Sequence, residues 1–501
     1  MGKKVNRGFF SYLLMFLGVV LAFFVICVVI MIFSPGTEIF GFSYFSEKSG
    51  EKEIVSATVY DGEQKVEGET FSLNNSDMQM NDISTIVLKS NIYSINVKQK
   101  EKTTDSVKSA LTVLVNTTVS GFAKDNKIKT ELYCNYFKNT KTLELVANAP
   151  TGFLHFNNTA YIDVLFPTEF NKNINIEIEN ENGNVYLGNN STSNIQSNTL
   201  NVNKLDVNIK SGTLYSYNYF AIADSTKDST LKTNNGKINF ASPISANNLT
   251  VETENGNINL TSESLNVLNE FKVKSNTSFV EIKKATALNF DFDVEGGKIY
   301  AGELTGNIVF SQESNSCDFQ ANKIIGSLLI GTINTDFDKI KTKTSVLIKE
   351  EISGKVNITT NGEVNISKIT NSLLTSNIRT NSAKVNVSEV EVNLDVVSNS
   401  GQIILGKIEN SNTYGIRKQI NVTSNSGYVI LYFDQVTANS KVNSKNNIYA
   451  YLKNGDCKIT ATASKIILNE EEKESPHSFG SNPLKTLSLE SEKTIKINTN
   501  N

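Results

Sequence analysis

Histidine, cysteine, proline and tryptophan are scarce in this 501-residue chain, and their scarcity excludes several kinds of site. The two histidines, His155 and His477, are far apart in sequence, which argues against a histidine-based metal site or a Ser-His-Asp triad. Tryptophan is absent and only six prolines occur. The formal net charge is −3 and no basic block is present, so the chain lacks the footprint of a nucleic-acid-binding protein.

The four cysteines form no C-x-x-C pair. Cys27 lies within an apolar N-terminal run, whereas Cys134, Cys317 and Cys457 lie in alternating apolar patterns. Three cysteines outside the apolar run are an odd number, which argues against a complete disulfide framework. We therefore expect each cysteine to be a small buried hydrophobic residue.

One recurring phrase, Gly-x-Φ-x-Φ with Φ apolar, organises the rest of the chain. Its copies begin at Gly183, Gly236, Gly256, Gly297, Gly306, Gly354, Gly362, Gly401, Gly427 and Gly455. Many copies lie roughly 20 residues apart, a period typical of stacked repeats. The glycine permits a turn with positive φ, and the alternation after it predicts a short strand with one buried face.

The fold class predicted from this pattern is all-β. We expect a single stack of strands, a β-solenoid or β-helix with coils of roughly 20 residues and two short strands in each coil, preceded by one N-terminal transmembrane helix. The inward positions would form a continuous apolar ladder. They are Val185, Leu187, Ile238, Phe240, Ile258, Leu260, Ile308, Phe310, Val356, Ile358, Val364, Ile366, Val385, Val387, Ile403, Leu405, Val429 and Leu431.

The apolar run covers residues 9–33 and is long enough to span a bilayer. Lys3, Lys4 and Arg7 precede it and Glu38 follows it, so the positive-inside rule predicts a cytoplasmic tail at residues 1–8 and an extracytoplasmic location for the bulk of the chain. A cleaved signal peptide would have a shorter apolar core and a small-residue cleavage site. We therefore expect a single-pass protein of the cell membrane.

After the membrane helix, the pattern predicts three further segments. Residues 34–54 form a juxtamembrane spacer, whose Phe40, Phe42, Tyr44 and Phe45 either rest at the membrane interface or belong to a turn. Residues 55–182 form a β-rich N-terminal capping region. Residues 183–501 contain the solenoid repeats, with a polar surface loop at 469–483.

Several motifs resemble those of the bacterial putative-adhesin domains, a β-solenoid family of poorly defined function. They are YIDVLFPTEF from Tyr161 followed by INIEIENENGNVYLGN, the repeated NGxIxL phrase, and the polar loop that leads to TLSLESEKTIKIN. The resemblance covers roughly residues 83–500. It implies the fold, and it brings no catalytic residue and no cofactor with it.

Two acidic segments are the best local candidates for catalysis or cation binding. They contain Asp291, Asp293 and Glu295, and Asp336 with Asp338. A carbohydrate-active β-helix enzyme needs carboxylates that converge on one cleft. Here the acids alternate with phenylalanines, so we expect them on a solvated outward face.

The outward position three residues after the glycine forms a candidate partner-binding strip. It contains Tyr186, Tyr215, Asn239, Asn259, Tyr300, Asn357, Asn365 and, by register, Asn386. Stacked asparagines form hydrogen-bonded ladders, and tyrosine with asparagine also suits the recognition of polar partners. Both interpretations remain open at this stage.

The predicted function is a membrane-anchored extracytoplasmic β-solenoid, an adhesin or an envelope scaffold without catalytic activity or cofactor. Its expected partners are the lipid bilayer, through residues 9–33, and a surface glycan or protein, but no nucleic acid. The alternatives are an extracytoplasmic carbohydrate-active β-helix enzyme and an envelope sensor or regulator.

Overall fold

The computed structural model describes most of the chain as two compact units, Met1–Leu200 and Asn201–Asn501. The described residues are 7–34, 37–73, 82–100, 110–124, 130–152, 154–167, 170, 174–189, 199–310, 316–332, 336–408 and 418–499. Lys3 and Lys4, with most of the predicted cytoplasmic tail, lie outside them.

The first unit begins with one long apolar helix, α1, at Arg7–Phe33. Its segment Ser11–Phe33 has a mean hydropathy of 3.3 and is long and apolar enough to cross a membrane. Among its described side chains, only those of Cys27 and Met31 are buried. A helix that exposes apolar side chains on every face has no partner in water, so the surface of α1 is suited to lipid.

Twelve strands follow the helix in the first unit. They are β1 Glu38–Ile39, β2 Phe42–Ile54, β3 Ser56–Asp61, β4 Gln64–Ser72, β5 Thr85–Ser90, β6 Ser94–Gln99, β7 Thr112–Ala123, β8 Glu131–Phe137, β9 Thr142–Asn148, β10 Leu154–Phe166, β11 Asn175–Asn182 and β12 Val185–Leu187. Pro167 directly follows β10, as expected for a residue that cannot donate a ladder hydrogen bond.

These strands form two ladders of mixed direction. In one ladder, β12, β6 and β10 pair in parallel, and β7, β2 and β1 continue it with antiparallel pairs. In the other, β11, β5 and β9 pair in parallel, β8 joins β9 in antiparallel, and β3 and β4 follow. Parallel stacking thus begins at Thr85, within the segment predicted to be a cap. Within the predicted spacer, Phe42–Ile54 is a paired strand.

The described part of the second unit consists of β-strands, most of them short, and one 3-10 turn, Phe337–Lys339. The strands up to the long paired run are β13 Leu200–Val202, β14 Lys204–Ser211, β15 Leu214–Ser216, β16 Phe220–Ile222, β17 Ser229–Asn235, β18 Ile238–Phe240, β19 Ile244–Ala246, β20 Leu249–Asn255, β21 Ile258–Leu260 and β22 Leu265–Phe310. The 46 residues of β22 pair with several earlier and later strands in succession.

The remaining strands continue the same pattern to the end of the chain. They are β23 Asp318–Ile325, β24 Leu328–Ile330, β25 Ser345–Ser353, β26 Val356–Thr359, β27 Val364–Thr370, β28 Ser376–Thr380, β29 Val385–Val390, β30 Leu394–Ser398, β31 Ile403–Ile408, β32 Ile420–Ser424, β33 Val429–Phe433, β34 Ser440–Ser444, β35 Ile448–Leu452, β36 Lys458–Thr462, β37 Lys465–Leu468, β38 Glu471–Lys473, β39 His477–Phe479, β40 Thr486–Ser491 and β41 Thr494–Thr499.

The number of strands in a coil changes along the second unit. From β17 to the start of β22 each coil has three strands, because β17, β18 and β19 pair in parallel with β20, β21 and β22, respectively. From β23 to β34 each coil has two, since every strand pairs with the next but one in sequence. The two-strand expectation is confirmed for the later coils and wrong for the earlier ones.

The predicted apolar ladder is confirmed. Every inward residue named from the sequence is at most 1% exposed. Successive coils are in register, so that Ile238 lies opposite Ile258, Val364 opposite Val385 and Ile403 opposite Val429. Parallel strands lie about 4.8 Å apart, and each coil therefore covers the apolar edge of the coil before it.

The glycines of the phrase are required mainly by close approach between coils. A Cβ on Gly236 would lie 1.7 Å from the carbonyl oxygen of Gly212, and one on Gly256 would lie 1.7 Å from that of Gly236. Neither Gly236 nor Gly256 has a positive φ. These two turns therefore do not use the positive φ that glycine permits, and stacked backbones leave no space for a side chain there.

The last two strands of the chain lie between earlier strands of the stack. Strand β40 pairs in parallel with both β34 and β36, and β41 pairs in parallel with both β35 and β37. The segment predicted to be a polar loop contains β38 and β39, which pair in antiparallel with β37 and β36. At this end, the order of the strands in the stack therefore differs from their order in the sequence.

All four cysteines are free and buried, which confirms the expectation from the sequence. Burial raises the pKa of the Cys134 thiol to about 12 and that of the Cys317 and Cys457 thiols to about 11. Thiols in this state react slowly, because the thiolate is the nucleophile.

Candidate binding surface

The acidic candidates are engaged in local contacts. The Asp291 carboxylate accepts a hydrogen bond from Lys272 Nζ at 2.6 Å, and Asp336 accepts one from the backbone N–H of Asp338 at the start of the 3-10 turn. Among the described residues no group of three or more His, Cys, Asp or Glu side chains could hold a metal ion. The acids at 291–295 and 336–338 thus form no shared cleft of that kind.

All eight residues of the predicted strip point outward and are half-buried. One of them, Tyr186, belongs to the first unit. It lies opposite Asn96 on β6, and its hydroxyl accepts a hydrogen bond from Asn184 Nδ2 at 2.9 Å.

Three of the eight lie in consecutive coils of the second unit. Tyr215, Asn239 and Asn259 are in register on β15, β18 and β21. Asn259 Nδ2 donates to Asn239 Oδ1 at 2.7 Å. These two asparagines are 20 positions apart in the sequence and come into contact because their strands are stacked in register. We call the three residues the Tyr215 column.

Tyr300 and Asn365 share a second column, which we call the Tyr300 column. In register order it contains Tyr300, Gln320, Leu347, Asn365, Asn386, Ile404, Ile430 and Tyr449. Asn386 Nδ2 donates to Asn365 Oδ1 at 2.8 Å. The Lys349 ammonium lies over the Tyr300 ring at 5.5 Å, so one face of that ring is already in contact with a cation.

Asn357 lies on the other strand of its coil. It is opposite Leu329 and Asn377, and Asn377 Nδ2 donates to its Oδ1 at 3.0 Å. The structure therefore separates the strip into different columns, because a two-strand coil contains two copies of the glycine phrase. Position relative to the glycine does not distinguish between them.

The asparagine ladders leave capacity for a partner. Each side-chain amide has two N–H donors and an oxygen with two lone pairs. The bond between Asn259 and Asn239, like that between Asn386 and Asn365, takes one N–H and one lone pair. A ladder that fixes the amides in place also presents them as an ordered polar row. A structural asparagine ladder and a partner-binding strip are therefore compatible interpretations of the same residues.

A group of tyrosines at the C-terminal end of the Tyr300 column was missed by the sequence analysis. The tyrosine cluster, as we name it, consists of Tyr428, Tyr432, Tyr449 and Tyr451. Tyr432 lies opposite Tyr451 in register, with ring centroids 4.7 Å apart and ring planes 9° apart. Tyr428 is 39% exposed and Tyr432 is 44% exposed. The signal was present in GYVILYF and IYAYL, where tyrosines alternate with inward residues.

The register of the coil before the tyrosine cluster is irregular opposite Tyr432. The pairing of β31 with β33 shifts between Leu405 and Ile408, and Gly406 and Lys407 occupy this shift. The Lys407 ammonium is 3.3 Å from Glu389. Next to the cluster, Ile404 and Ile430 lead to Tyr449 as apolar members of the Tyr300 column.

The cavities that open on the described part of the second unit include two near the outward columns. One of about 240 Å³ lies on the Tyr300 column and is lined by Gln320, Leu347 and Asn365 together with charged side chains. The other, of about 570 Å³, lies beside Leu268 and Leu288 and is rimmed by Asn266 and Asn307. The larger volume is in the range of small-ligand sites, which are mostly apolar with a few polar groups.

Comparisons with known proteins give three solved structures to which this chain is similar. A putative cell adhesion protein from Clostridium sporogenes shares 8% identity over 91% of this chain and 100% of its own, with a TM-score of 0.16. A putative adhesin from Bacteroides fragilis shares 12% identity over 65% of this chain and 93% of its own, with a TM-score of 0.22. A putative adhesin from Parabacteroides distasonis shares 11% identity over 90% and 98%, with a TM-score of 0.18.

The names of these structures agree with the putative-adhesin family that the sequence resembles. Their low TM-scores mean that no residue role is transferred from them to this chain. No family model and no curated protein matches the chain.

Proposed function

We propose that this protein is a membrane-anchored adhesin, held in the cell membrane by α1 and exposing its β-solenoid outside the cell. The observation that supports the anchor is the helix surface, which is apolar and almost entirely exposed from Tyr12 to Phe33, with Cys27 and Met31 buried and Val28 and Ile32 half-buried. Immersion of that surface in lipid removes a large apolar area from water, whereas β1 and β2 contact only a small part of it.

The tyrosine cluster supports the adhesive role. Tyrosine is enriched in protein interfaces, since it offers a large amphipathic area at a low cost in conformational entropy. In the tyrosine cluster two rings are stacked in register, and Tyr428 is exposed four residues before Tyr432 in the sequence. The partner is a glycan or a protein on another surface, and the ordered amides of the Tyr300 column supply polar contacts beside the rings.

The proposal is tested with the full chain in lipid nanodiscs, applied to arrays of surface glycans and matrix proteins. The double variant Tyr432→Ala with Tyr451→Ala is compared with Tyr133→Ala, which removes an exposed tyrosine of the first unit. We expect the double variant to lose affinity at least tenfold, a change of about 1.4 kcal/mol, and the control to bind as the unaltered chain does.

Two outcomes would contradict the adhesive role. One is that the unaltered chain binds nothing on either array. The other is that the double variant, with an unchanged melting temperature, binds as tightly as the unaltered chain. The first outcome would favour the scaffold over the adhesin.

A further inference from the structure

The four aromatic residues after the membrane helix differ in their surroundings. Phe45 is buried, and the ring of Tyr44 packs against Phe122 with centroids 5.6 Å apart. Phe42 has the Lys124 ammonium at 5.9 Å from its ring centroid. In contrast, Phe40 is 79% exposed. Of the four residues that the sequence placed near the membrane, Phe40 therefore has its ring most available to a partner.

Phe40 occupies an unusual position in the backbone. Glu38 and Ile39 pair with Ser43 and Phe42, which leaves Phe40 and Gly41 as a two-residue hairpin turn. Both have positive φ, 55° and 77°, as in the turn type that normally selects Asn-Gly. A bulky side chain is disfavoured in this conformation, and such strained residues are concentrated at functional sites.

The turn lies beside the apolar helix. The Phe40 ring is 6.5 Å from that of Phe23, in an edge-to-face arrangement, and β1 and β2 contact α1. The turn therefore lies along the apolar run 9–33 rather than beyond its end.

The charge of the hairpin lies at the level of its turn. Glu38 is exposed, and its Oε1 lies 3.7 Å from the place that a Cβ on Gly41 would take. The carboxylate beside the turn requires water and headgroups to solvate it, which assigns the turn to the interfacial region of the bilayer. Aromatic side chains favour this interfacial region.

We propose that Phe40 is a second membrane contact, whose ring inserts into the outer leaflet beside the anchor helix. The inference rests on the proposed membrane anchor. With the helix, it fixes the first unit to the bilayer at two points, so that β2 rises from the membrane surface at a defined angle.

The absence of tryptophan from the chain allows a direct test. Single tryptophans are introduced into the full chain as Phe40→Trp, Leu17→Trp in the exposed part of α1, and Val55→Trp. Val55 is exposed and directly follows β2, roughly 40 Å along the chain from the turn. Each variant is reconstituted into phosphatidylcholine vesicles with or without brominated acyl chains, and the quenching of tryptophan fluorescence is measured.

We expect the bromolipids to quench Leu17→Trp and Phe40→Trp by at least half and to leave Val55→Trp unchanged. Quenching of Leu17→Trp alone would overturn the insertion of Phe40 and leave the anchor in place. Quenching of none of the three would overturn the anchor and this proposal with it. Quenching of all three would also overturn it, because the sheet would then lie flat on the membrane.

A second variant guards against misfolding of Phe40→Trp. Phe40→Cys carrying a nitroxide label is expected to show more relaxation by oxygen, which partitions into lipid, than by a water-soluble nickel chelate. The reverse order at this site, with Leu17→Trp quenched, would contradict the insertion.

Discussion

Single glycines set the distance between coils at the turns of the second unit. The Cα of Gly256 faces the carbonyl oxygen of Gly236, and the Cα of Gly236 faces the carbonyl oxygen of Gly212. Three turns thus stack backbone on backbone, and each glycine is required by the glycine below it. This explains why the phrase keeps its glycine even where φ is negative, although an L-residue could adopt that conformation.

We predict that Gly256→Ala destabilises the protein by about 1–3 kcal/mol, the usual cost of forcing an added group into a packed interior. The new Cβ would lie 1.7 Å from a carbonyl oxygen, so the turns must separate. Gly455→Ala is the matched control, because Gly455 belongs to the same phrase and has no atom within 4 Å of an added Cβ. Urea unfolding measures both variants, and equal effects would contradict this account of the glycines.

Individual residues also show which features of the structure could be predicted from the sequence. Inward positions such as Ile258 and Val429 could be predicted, since alternation after a turn decides which side chains face the core. The reason for the glycines could not, because it depends on which backbone atoms a neighbouring coil brings near. The tyrosine cluster was visible as outward tyrosines, but its ring contact depends on the register between β33 and β35.

Neighbouring strands are joined on their outward faces by charged side chains as well as by amides. Lys368 on β27 donates to Glu389 at 2.8 Å and to Glu391 at 2.7 Å. The ammonium of Lys407, on β31, lies 3.3 Å from the Glu389 carboxylate. Hydrogen bonds from Lys368, followed by those from Lys407, lower the pKa of Glu389, whereas partial burial opposes this change. The hydrogen bonds that Lys368 donates to Glu389 and Glu391 raise the pKa of Lys368.

The direction of these changes determines the pH window. Because the pKa of Glu389 is lower in the folded state, its contribution is present above the unfolded value of about 4.3 and is lost as pH falls through the folded pKa. Because the pKa of Lys368 is raised, its contribution is present below about 10.4 and is lost as pH rises through the folded pKa. The side chains are partly exposed, which limits the network to about 1 kcal/mol.

We predict that Lys368→Met lowers stability by up to about 1 kcal/mol between pH 6 and 9, and that its difference from the unaltered chain shrinks below pH 4. Urea midpoints across this pH range measure the difference. The control is Lys473→Met, which breaks an exposed pair with Glu471 at the hairpin end of β38 and is expected to change little. A Lys368→Met effect that stays constant down to pH 2 would contradict the role of Glu389.

Element existence could be predicted better than element order. The strands around Leu487 and Ile495 were expected from their alternation, and they exist as β40 and β41. Their position between earlier strands was not expected. The alternation of apolar and polar residues predicts that a strand has one apolar face. It does not predict which of two equally apolar coils will cover that face.

On the scale of each unit, parallel in-register pairing is the common principle. The first unit combines it with antiparallel strands, so that β6 and β10 stack in parallel and β7 adds an antiparallel strand. The second unit uses parallel pairing almost throughout, and antiparallel pairs there are confined to β38 and β39. Short charged strands such as Glu471–Lys473 are a common protection for an edge that would otherwise pair with another chain.

The proposed function depends on this register. The Tyr300 column exists only because Asn365 and Asn386, on successive coils, are opposite each other. A shift by one residue would turn these amides inward and expose the apolar ladder. The proposed adhesive surface and the buried core are thus two consequences of the same alignment of coils.

Disulfide formation between cysteines on neighbouring coils tests that alignment most directly. In-register Cα atoms about 4.8 Å apart are within the range that a disulfide can bridge. The pair Asn365→Cys with Asn386→Cys is compared under mild oxidation with Asn365→Cys and Ser388→Cys, which lies one outward position further along β29, at about 8 Å. We predict rapid cross-linking of the in-register pair and little of the shifted pair. Equal rates, or faster linkage of the shifted pair, would contradict the stacked coils.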